Sequence, residues 1–248
     1  MNDQNKKLDI ALIGYGRMGH ELEDLAKQRG HRIHCIIDSV SDWETQREQL
    51  KTADVAIEFT TPEQAPENLK KCFQDALPVV CGTTGWQNEY QDVAEYCMQL
   101  GGSLLYASNF SLGMQVLFAL NRKLAGIMNS LPDYQVNIEE IHHTRKLDAP
   151  SGTAVSLASD IMAENPFPGG WILETSTQKA ARGQLGIQAR REAEVCGTHR
   201  VIYRGPFDQI ELQHIAHNRR IFAEGAMLAA EWLPGRSGLY SMQDLINH

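Results

Sequence analysis

Short apolar runs alternate with segments of helical periodicity over roughly the first hundred residues. Met18, Leu22, Leu25 and Ala26 share one side of a predicted helix, and Gly30 follows as a stop signal. The apolar runs predict strands at residues 8–13, 32–37, 55–59, 78–81 and 103–107. Further helices are predicted at residues 67–75 and 89–100. Strands that alternate with helices in this rhythm indicate a parallel sheet covered by helices.

The pattern changes after Asn109, where strands and helices no longer alternate regularly. Helices are predicted at residues 114–128, 153–163 and 222–232, and strands at 135–141, 201–205 and 209–216. We therefore expect an α/β protein, with a Rossmann-like doubly wound parallel sheet and a second α+β domain built on a mixed sheet. The boundaries expected for the first domain are 1–112 and 219–248, and those of the second are 113–218.

A glycine-rich turn follows the first predicted strand and opens the first helix. Its residues fit the pattern G-x-G-x-x-G and are Gly14, Tyr15, Gly16, Arg17, Met18 and Gly19. Such glycines let the backbone approach a pyrophosphate at a helix N-terminus. Asp38 ends the second strand, where a carboxylate can bind the adenosine ribose. The alternative is a turn that merely needs glycines, but the strand, the helix and Asp38 together favour dinucleotide binding.

The cofactor preference depends on the residues around Asp38. Its carboxylate repels a 2′-phosphate, and Ser39 beside it brings no positive charge. NADH is therefore the favoured cofactor, while NADPH stays open because Arg17 could reach that phosphate. Gly82, Thr83, Thr84 and Gly85 end the fourth strand, and Ser108, Asn109, Phe110 and Ser111 end the fifth. Both loops are expected at the ligand-binding edge of the sheet, although each could also be an ordinary turn.

A second motif combines cations with a helix start. His142, His143, Arg145 and Lys146 lie within five residues, just past a predicted strand. Ser151 is a suitable N-cap for the helix that begins near Gly152 and Thr153, so N–H groups and hydroxyls there could bind a carboxylate. His and Lys are also side chains whose pKa is easily tuned for proton transfer. The alternative is a solvated basic loop followed by a capped helix.

A metal site is the other chemistry that histidines allow, on His142 with His143 or on His214 with His217. Adjacent side chains on a strand point to opposite faces, and no Cys or carboxylate completes a set at zinc-like spacing. We therefore expect no metal.

Composition excludes several classes of protein. The 248-residue chain has 31 acidic and 23 basic residues, a net charge of −8 that argues against nucleic acid as the partner. Its apolar runs are too short to cross a bilayer, and its polar N-terminus is not that of a signal peptide. The five scattered cysteines fit free thiols in a reducing compartment. These features predict a cytoplasmic protein that does not bind membranes.

The two motifs together resemble the 4-hydroxy-tetrahydrodipicolinate reductase (dihydrodipicolinate reductase) family, and the resemblance covers nearly the whole chain. It is strongest in the stretch E-x-H-H-x-x-K-x-D-A-P-S-G-T-A, and the other matching segments are 14–19, 59–63, 82–85, 108–113 and 222–238. The resemblance implies NAD(P)H-dependent reduction of a cyclic imine dicarboxylate in diaminopimelate and lysine biosynthesis. Hydride would enter at C4 and a protein acid would protonate C3.

The resemblance also implies a role for each matching residue. His142 would be the catalytic acid and Lys146 a second proton-transfer group. His143, Ser151, Gly152 and Thr153 would bind the substrate carboxylates. Residues 14–19 and Asp38 would hold the adenosine and pyrophosphate. The residues implied at the cofactor's other contacts are Phe59, Gly82, Thr83, Thr84, Ser108, Asn109, Phe110 and Arg219. The second domain would bind substrate and form a homotetramer through its sheet.

Two departures from the family pattern concern the cofactor. The glycine turn is one residue shorter than in many members, and Thr61 stands where some carry Arg.

Other interpretations are an NAD(P) dehydrogenase for an amino acid or a sugar, and a cofactor-sensing protein without catalysis. The cationic cluster beside a helix start disfavours the first, and the second leaves His142 and Lys146 without a task. A purely structural role is the least favoured, because it leaves the alignment of the glycine turn with Asp38 to chance.

Overall fold

A computed structural model describes residues 7–247 and divides the chain into two compact units. One unit is formed by Met1–Leu112 with Arg220–His248, and the other by Gly113–Arg219. The strands are β1 Asp9–Ile13, β2 Arg32–Ile37, β3 Val55–Glu58, β4 Val79–Cys81, β5 Ser103–Tyr106, β6 Gln135–His142, β7 Trp171–Glu174, β8 Leu185–Arg191, β9 Gly197–Arg204, β10 Gln209–Ala216 and β11 Gly238–Tyr240. The helices are α1 Arg17–Arg29, α2 Val40–Thr45, α3 Arg47–Leu50, α4 Ala65–Gln74, α5 Tyr90–Gln99, α6 Leu112–Met128, α7 Gly152–Glu164, α8 Arg220–Trp232 and α9 Met242–Ile246.

The first unit contains a parallel sheet. Within the described residues its strand order is β11-β5-β4-β3-β1-β2, and every pair is parallel. Both faces are covered, so β3 (VAIE) is buried at every position. The strand order reverses direction at β1, which places the crevice for a ligand outside the carboxyl ends of β1 and β3. The predicted Rossmann-like sheet is confirmed.

This unit holds elements that the sequence did not predict. The edge strand β11 has three residues, and helices α2 and α3 have six and four. Elements this short carry too few residues for a periodic pattern. Helix α4 begins at Ala65 rather than residue 67, because Pro66 occupies the first turn, where its missing N–H costs nothing.

The second unit contains a mixed sheet, as predicted. The strand order is β10-β9-β6-β8-β7. Central strand β6 is antiparallel to β9 and parallel to β8. The buried residues Ile138, Glu140 and His142 alternate along β6, so they share one face of the sheet. On that face Ile138 belongs to a hydrophobic core with residues of α6 and α7.

Strands β7 and β8 were not predicted. They lie in a stretch where Pro, Gly and charged residues interrupt any apolar run. Strand β8 pairs with β6, and β7 pairs with β8. Within residues 7–247, no helix has both the length and the apolar character that crossing a bilayer requires.

Candidate active site

The predicted glycine turn lies at the carboxyl edge of the first sheet. Gly14 has φ +90°, and a Cβ there would lie 2.1 Å from the Phe59 carbonyl oxygen. A Cβ on Gly19 would lie 2.6 Å from the Gly14 carbonyl oxygen. Both positions therefore require glycine, the first for its backbone conformation and both for close packing.

The N-terminus of α1 carries the donors that a pyrophosphate needs. Its N-cap is Gly16, and no side chain of the described residues caps it. A Cβ on Gly16 would meet no described atom within 4 Å, so the backbone is accessible there. Arg17 is exposed and Met18 is half-buried beside this turn. The uncapped N–H groups and the helix dipole fit a bound phosphate.

Asp38 directly follows β2, next to this turn. Its Oδ1 accepts a hydrogen bond from the Tyr15 backbone N–H at 2.7 Å. A cavity of about 240 Å³ lies beside it. The sequence reasoning missed four charged or aromatic residues that line this cavity: Trp43, Glu63, Glu67 and Lys71. Trp43 lies on α2, Glu63 precedes α4, and Glu67 and Lys71 lie on α4 as an ion pair at 3.7 Å. No common motif links the four. The Lys71 ammonium lies 4.8 Å from the centre of the Trp43 ring.

The loops after β3 and β4 pack directly on each other. A Cβ on Gly82 would lie 2.1 Å from an atom of the Phe59 ring, so glycine is needed here for packing. The Thr83 hydroxyl is buried and accepts a hydrogen bond from the Thr60 backbone N–H at 2.7 Å. Thr84 beside it is exposed. Of the predicted residues in this loop, Thr84 is therefore the one whose side chain is free to reach a ligand.

The loop after β5 also contains both buried and exposed predicted site residues. Phe110 is 2% exposed, and its ring packs against that of Phe59 with centroids 5.8 Å apart. The Asn109 Oδ1 accepts a hydrogen bond from the Ser111 backbone N–H, while Ser108 is exposed. Any contact of Phe110 with a cofactor must therefore use its backbone.

The second motif folds into one cluster in the second unit. Strand register sets its geometry: His142 on β6 is paired with Arg191 on β8, and Glu140 with His199 on β9. The His142 ring centre lies 5.0 Å from that of His199. Directly paired residues share a face, so all four side chains lie on the side of the sheet that carries α7.

The loop after β6 brings Lys146 to the same cluster. The Lys146 ammonium binds the Asp148 carboxylate at 2.8 Å. The Arg191 guanidinium donates to the backbone carbonyls of Lys146 (3.3 Å) and Asp148 (2.5 Å), which holds the loop against the sheet. His143 is half-buried, and its Nε2 lies 3.3 Å from an Arg219 guanidinium nitrogen.

Helix α7 begins at the end of this loop. Its N-cap is Ser151, whose hydroxyl accepts a hydrogen bond from the Ala154 backbone N–H at 3.2 Å. Gly152 is exposed and Thr153 is half-buried in the first turn. The Ser151 N–H donates to the Glu140 carboxylate. The positive end of the helix dipole at this helix start favours an anion. The cluster thus combines a buried imidazole, an ammonium and a helix N-terminus.

Burial controls protonation in the cluster. It lowers the pKa of His142, and the positive charges of Lys146 and Arg191 act in the same direction. The Glu140 carboxylate opposes them and raises the pKa of His142. Burial lowers the pKa of His199 to about 3, so this ring is neutral at physiological pH.

The sequence reasoning gave no role to Glu140, Arg191 or His199. Alternation along β6 could have placed Glu140 beside His142, but Arg191 and His199 enter only through strand pairing. Nitrogen and oxygen atoms of Glu140, His142 and His199 lie within 4.8 Å of one another, a spacing that could hold a metal ion. The Glu140 oxygens already accept N–H donors, however, and the cations Arg191 and Lys146 oppose a divalent ion.

Comparisons with known proteins bear on both units. The family model described as "Dihydrodipicolinate reductase, N-terminus" matches residues 8–110, and that described as "Dihydrodipicolinate reductase, C-terminus" matches residues 113–246. A protein of Christiangramia forsetii named 4-hydroxy-tetrahydrodipicolinate reductase is 45% identical over 97% of this chain and 98% of its own. A protein of the same name from Lawsonia intracellularis is 32% identical over 96% and 99%.

Solved structures show the same fold. A dipicolinate-bound dihydrodipicolinate reductase from Paenisporosarcina sp. TG-14 matches with a TM-score of 0.69. The alignment covers 95% of this chain and 98% of that one at 22% identity. At that identity the match supports the fold alone.

Proposed function

The chain belongs to the dihydrodipicolinate reductase family, and from this premise we infer that it catalyses the NAD(P)H-dependent reduction of 4-hydroxy-tetrahydrodipicolinate to tetrahydrodipicolinate. This reaction is a step in diaminopimelate and lysine biosynthesis. The observation that carries the inference is the cluster in the second unit, where buried His142, Lys146 and the start of α7 lie together. It offers a proton donor beside groups that bind carboxylates.

The first unit holds the nicotinamide cofactor. The uncapped start of α1, the close-packed glycines and Asp38 fit a pyrophosphate and a ribose. We propose the backbone of residues 14–19 and the side chains of Asp38 and Thr84 as contacts. The further proposed contacts in this unit are Phe59, Gly82, Thr83, Ser108, Asn109 and Phe110. Arg219, the last residue of the second unit, stays a proposed contact as well. When bound, the cofactor supplies a hydride, which enters the substrate at C4.

The second unit binds the dicarboxylate. We assign one carboxylate to the start of α7, at the hydroxyls of Ser151 and Thr153 and the exposed backbone of Gly152, and propose His143 as a further contact. His142 protonates C3 of the ring after the 4-hydroxyl has left as water, and Lys146 polarises the substrate or transfers a second proton. Charge-assisted hydrogen bonds to the carboxylates orient the ring for these steps.

We propose NADH as the preferred cofactor. The cavity beside Asp38 is lined by three carboxylates, those of Asp38, Glu63 and Glu67, and by the single cation Lys71. A 2′-phosphate placed there meets more negative than positive charge. We further propose a cytoplasmic homotetramer, formed through the sheet of the second unit.

The reaction is tested with purified protein and substrate made freshly from pyruvate and aspartate semialdehyde by the preceding synthase. NADH or NADPH oxidation that depends on the synthase supports the function, and the ratio of the two rates measures the preference. His142→Gln and Lys146→Ala should each lower kcat, on the order of 10²–10⁴-fold for the general acid, and leave cofactor binding nearly unchanged. Wild-type protein that binds both cofactors and oxidises neither would sink the proposed reaction.

A further inference from the structure

One buried carboxylate lies behind the proposed proton donor. Glu140 has no exposed surface, and it lies two residues before His142 on the same face of β6. Its Oε2 is 3.7 Å from the Nδ1 of His142 and 3.9 Å from the Nε2 of His199. The His142 Nδ1 is buried, and no described atom forms a hydrogen bond with it. The Glu140 carboxylate therefore lies close to a ring nitrogen that has no hydrogen-bond partner among the described residues.

The same carboxylate contacts the other parts of the cluster. Its two oxygens accept the backbone N–H of Ser151 at 3.1 and 3.0 Å. The Arg191 guanidinium donates to it at 3.3 and 3.4 Å, and holds the loop of Lys146 through backbone carbonyls. Glu140 thus links the imidazole, the start of α7 and the loop.

Such a carboxylate is not explained by fold stability. Burying a charge costs several kcal/mol, and a buried ion pair is often no more stable than apolar residues of the same volume. An apolar side chain at this position would continue the hydrophobic face that Ile138 begins on β6. A carboxylate kept here, 3.7 Å from Nδ1, points to the chemistry of the imidazole.

We propose that Glu140 is the positioning residue of this site, holding His142 with Nδ1–H directed at its carboxylate so that Nε2 is the nitrogen that delivers the proton. The inference rests on the proposed function. The imidazolium loses its Nε2 proton to C3 and becomes the neutral tautomer that keeps Nδ1–H on the side of Glu140. Gly197 leaves room on the other side of the ring, because a Cβ there would lie 3.2 Å from Nε2.

The charged and titratable groups around His142 set the expected pH dependence. Glu140 and Asp148 raise its pKa, Lys146 and Arg191 lower it, and His199 faces it as a neutral ring. Removing the charge of Glu140 lowers the pKa of His142. Because a general acid works in its protonated form, the fall of kcat with rising pH should then begin at a lower pH.

The test compares Glu140→Gln with Glu139→Gln. Glu139 is the neighbouring residue on β6, faces the other side of the sheet and pairs with Arg200 and Arg204. We expect Glu140→Gln to lower kcat on the order of 10–10²-fold at pH 8 and less at pH 6, with NADH affinity unchanged. Glu139→Gln should keep the wild-type pH profile.

A second variant keeps the charge. Glu140→Asp should lower kcat, because the shorter side chain moves away from Nδ1, but leave the pH profile at its wild-type position. If Glu140→Gln does not fold, Glu140→Asp tests the positioning role on its own: an unchanged kcat would contradict it. A Glu140→Gln enzyme with reduced kcat and an unshifted profile would make the role merely structural and overturn the proposal.

Two controls separate the alternatives. Wild-type turnover is measured first, so an inactive wild type refutes the proposed function and not the role of Glu140 alone. All assays are repeated after dialysis against EDTA. Wild-type activity that is lost with EDTA and restored by Zn²⁺ would assign Glu140, His142 and His199 to a metal and overturn the positioning role.

Discussion

At the scale of single residues, the protonation of His142 is the property that decides when the proposed chemistry runs. Burial lowers its pKa in the free protein. A bound substrate brings two carboxylates toward the cluster, and nearby negative charge raises the pKa of an imidazole. The free enzyme should therefore lose the proton at a lower pH than the substrate complex.

This difference predicts separate pH profiles. kcat/KM reports the free enzyme and kcat the complex, so kcat/KM should fall at a lower pH than kcat as the pH rises. Initial rates across pH 5–9 with saturating NADH would measure both. The remaining activity of His142→Gln should show neither the fall of kcat nor that of kcat/KM with rising pH. If both parameters of the wild type fall at the same pH, the charge of the substrate does not affect the pKa of His142.

Asp38 is the residue on which the proposed preference for NADH rests. Asp38→Ala removes the proposed ribose acceptor and a carboxylate that would repel a 2′-phosphate, so we expect NADH affinity to fall and NADPH affinity to be retained or to rise. Fluorescence titration with each cofactor measures the ratio. Asp24→Ala on the exposed side of α1 makes the same change of charge and should leave the ratio unaltered. An equal loss for both cofactors in Asp38→Ala would remove Asp38 from the ribose contact.

At the scale of elements, predictability followed length and locality. Helix α1 and strands β2 and β10 were predicted to within a residue, because periodicity and flanking turn residues lie within a single stretch of sequence. The short elements β11 and α3 have no such pattern. Strands β7 and β8 are specified by the neighbours with which they pair, and single-sequence reasoning does not include those neighbours.

The candidate site divides in the same way. His142, Lys146 and Ser151 are near in sequence, so one motif predicted them together. Arg191 and His199 reach the cluster from β8 and β9, and only the register of three strands brings them there. Phe110 shows that a sequence position can also suggest too much. It lies in a loop predicted to contact the ligand, yet its ring is buried in the core.

Two helix glycines with the same substitution test how packing overrides helix propensity. A Cβ on Gly225 of α8 would lie 1.8 Å from the backbone oxygen of Phe110, so Gly225→Ala should destabilise by roughly 1–3 kcal/mol or more. Gly126 of α6 is exposed, and its nearest neighbour is the flexible end of Glu164 at 3.3 Å. Gly126→Ala should stabilise by about 0.5–1 kcal/mol through helix propensity.

Urea unfolding followed by circular dichroism measures both changes in the free energy of unfolding. The opposite signs are the informative result. A neutral Gly225→Ala would mean that α8 moves freely away from Phe110, and the close approach would then not constrain this residue.

At the scale of the whole molecule, the proposed tetramer depends on the sheet face opposite His142. Ile215 on β10 is paired with Thr198 on β9, and Thr198 with Ile141 on β6, so these residues form a row across three strands. Ile215 is 48% exposed. A neighbouring row on the other face consists of His214, His199 and Glu140, and this face carries the candidate active site.

An apolar side chain exposed on a sheet face gains from burial against a second copy, and a carboxylate in its place must be desolvated there. We therefore expect Ile215→Asp to lower the assembly below the mass of four 27.8 kDa chains in sedimentation equilibrium, while far-UV dichroism stays unchanged. Ile127→Asp on α6 introduces the same charge at a 56% exposed isoleucine and should stay tetrameric. If the Ile127 variant dissociates and the Ile215 variant does not, the copies meet through the helical side and not through the sheet.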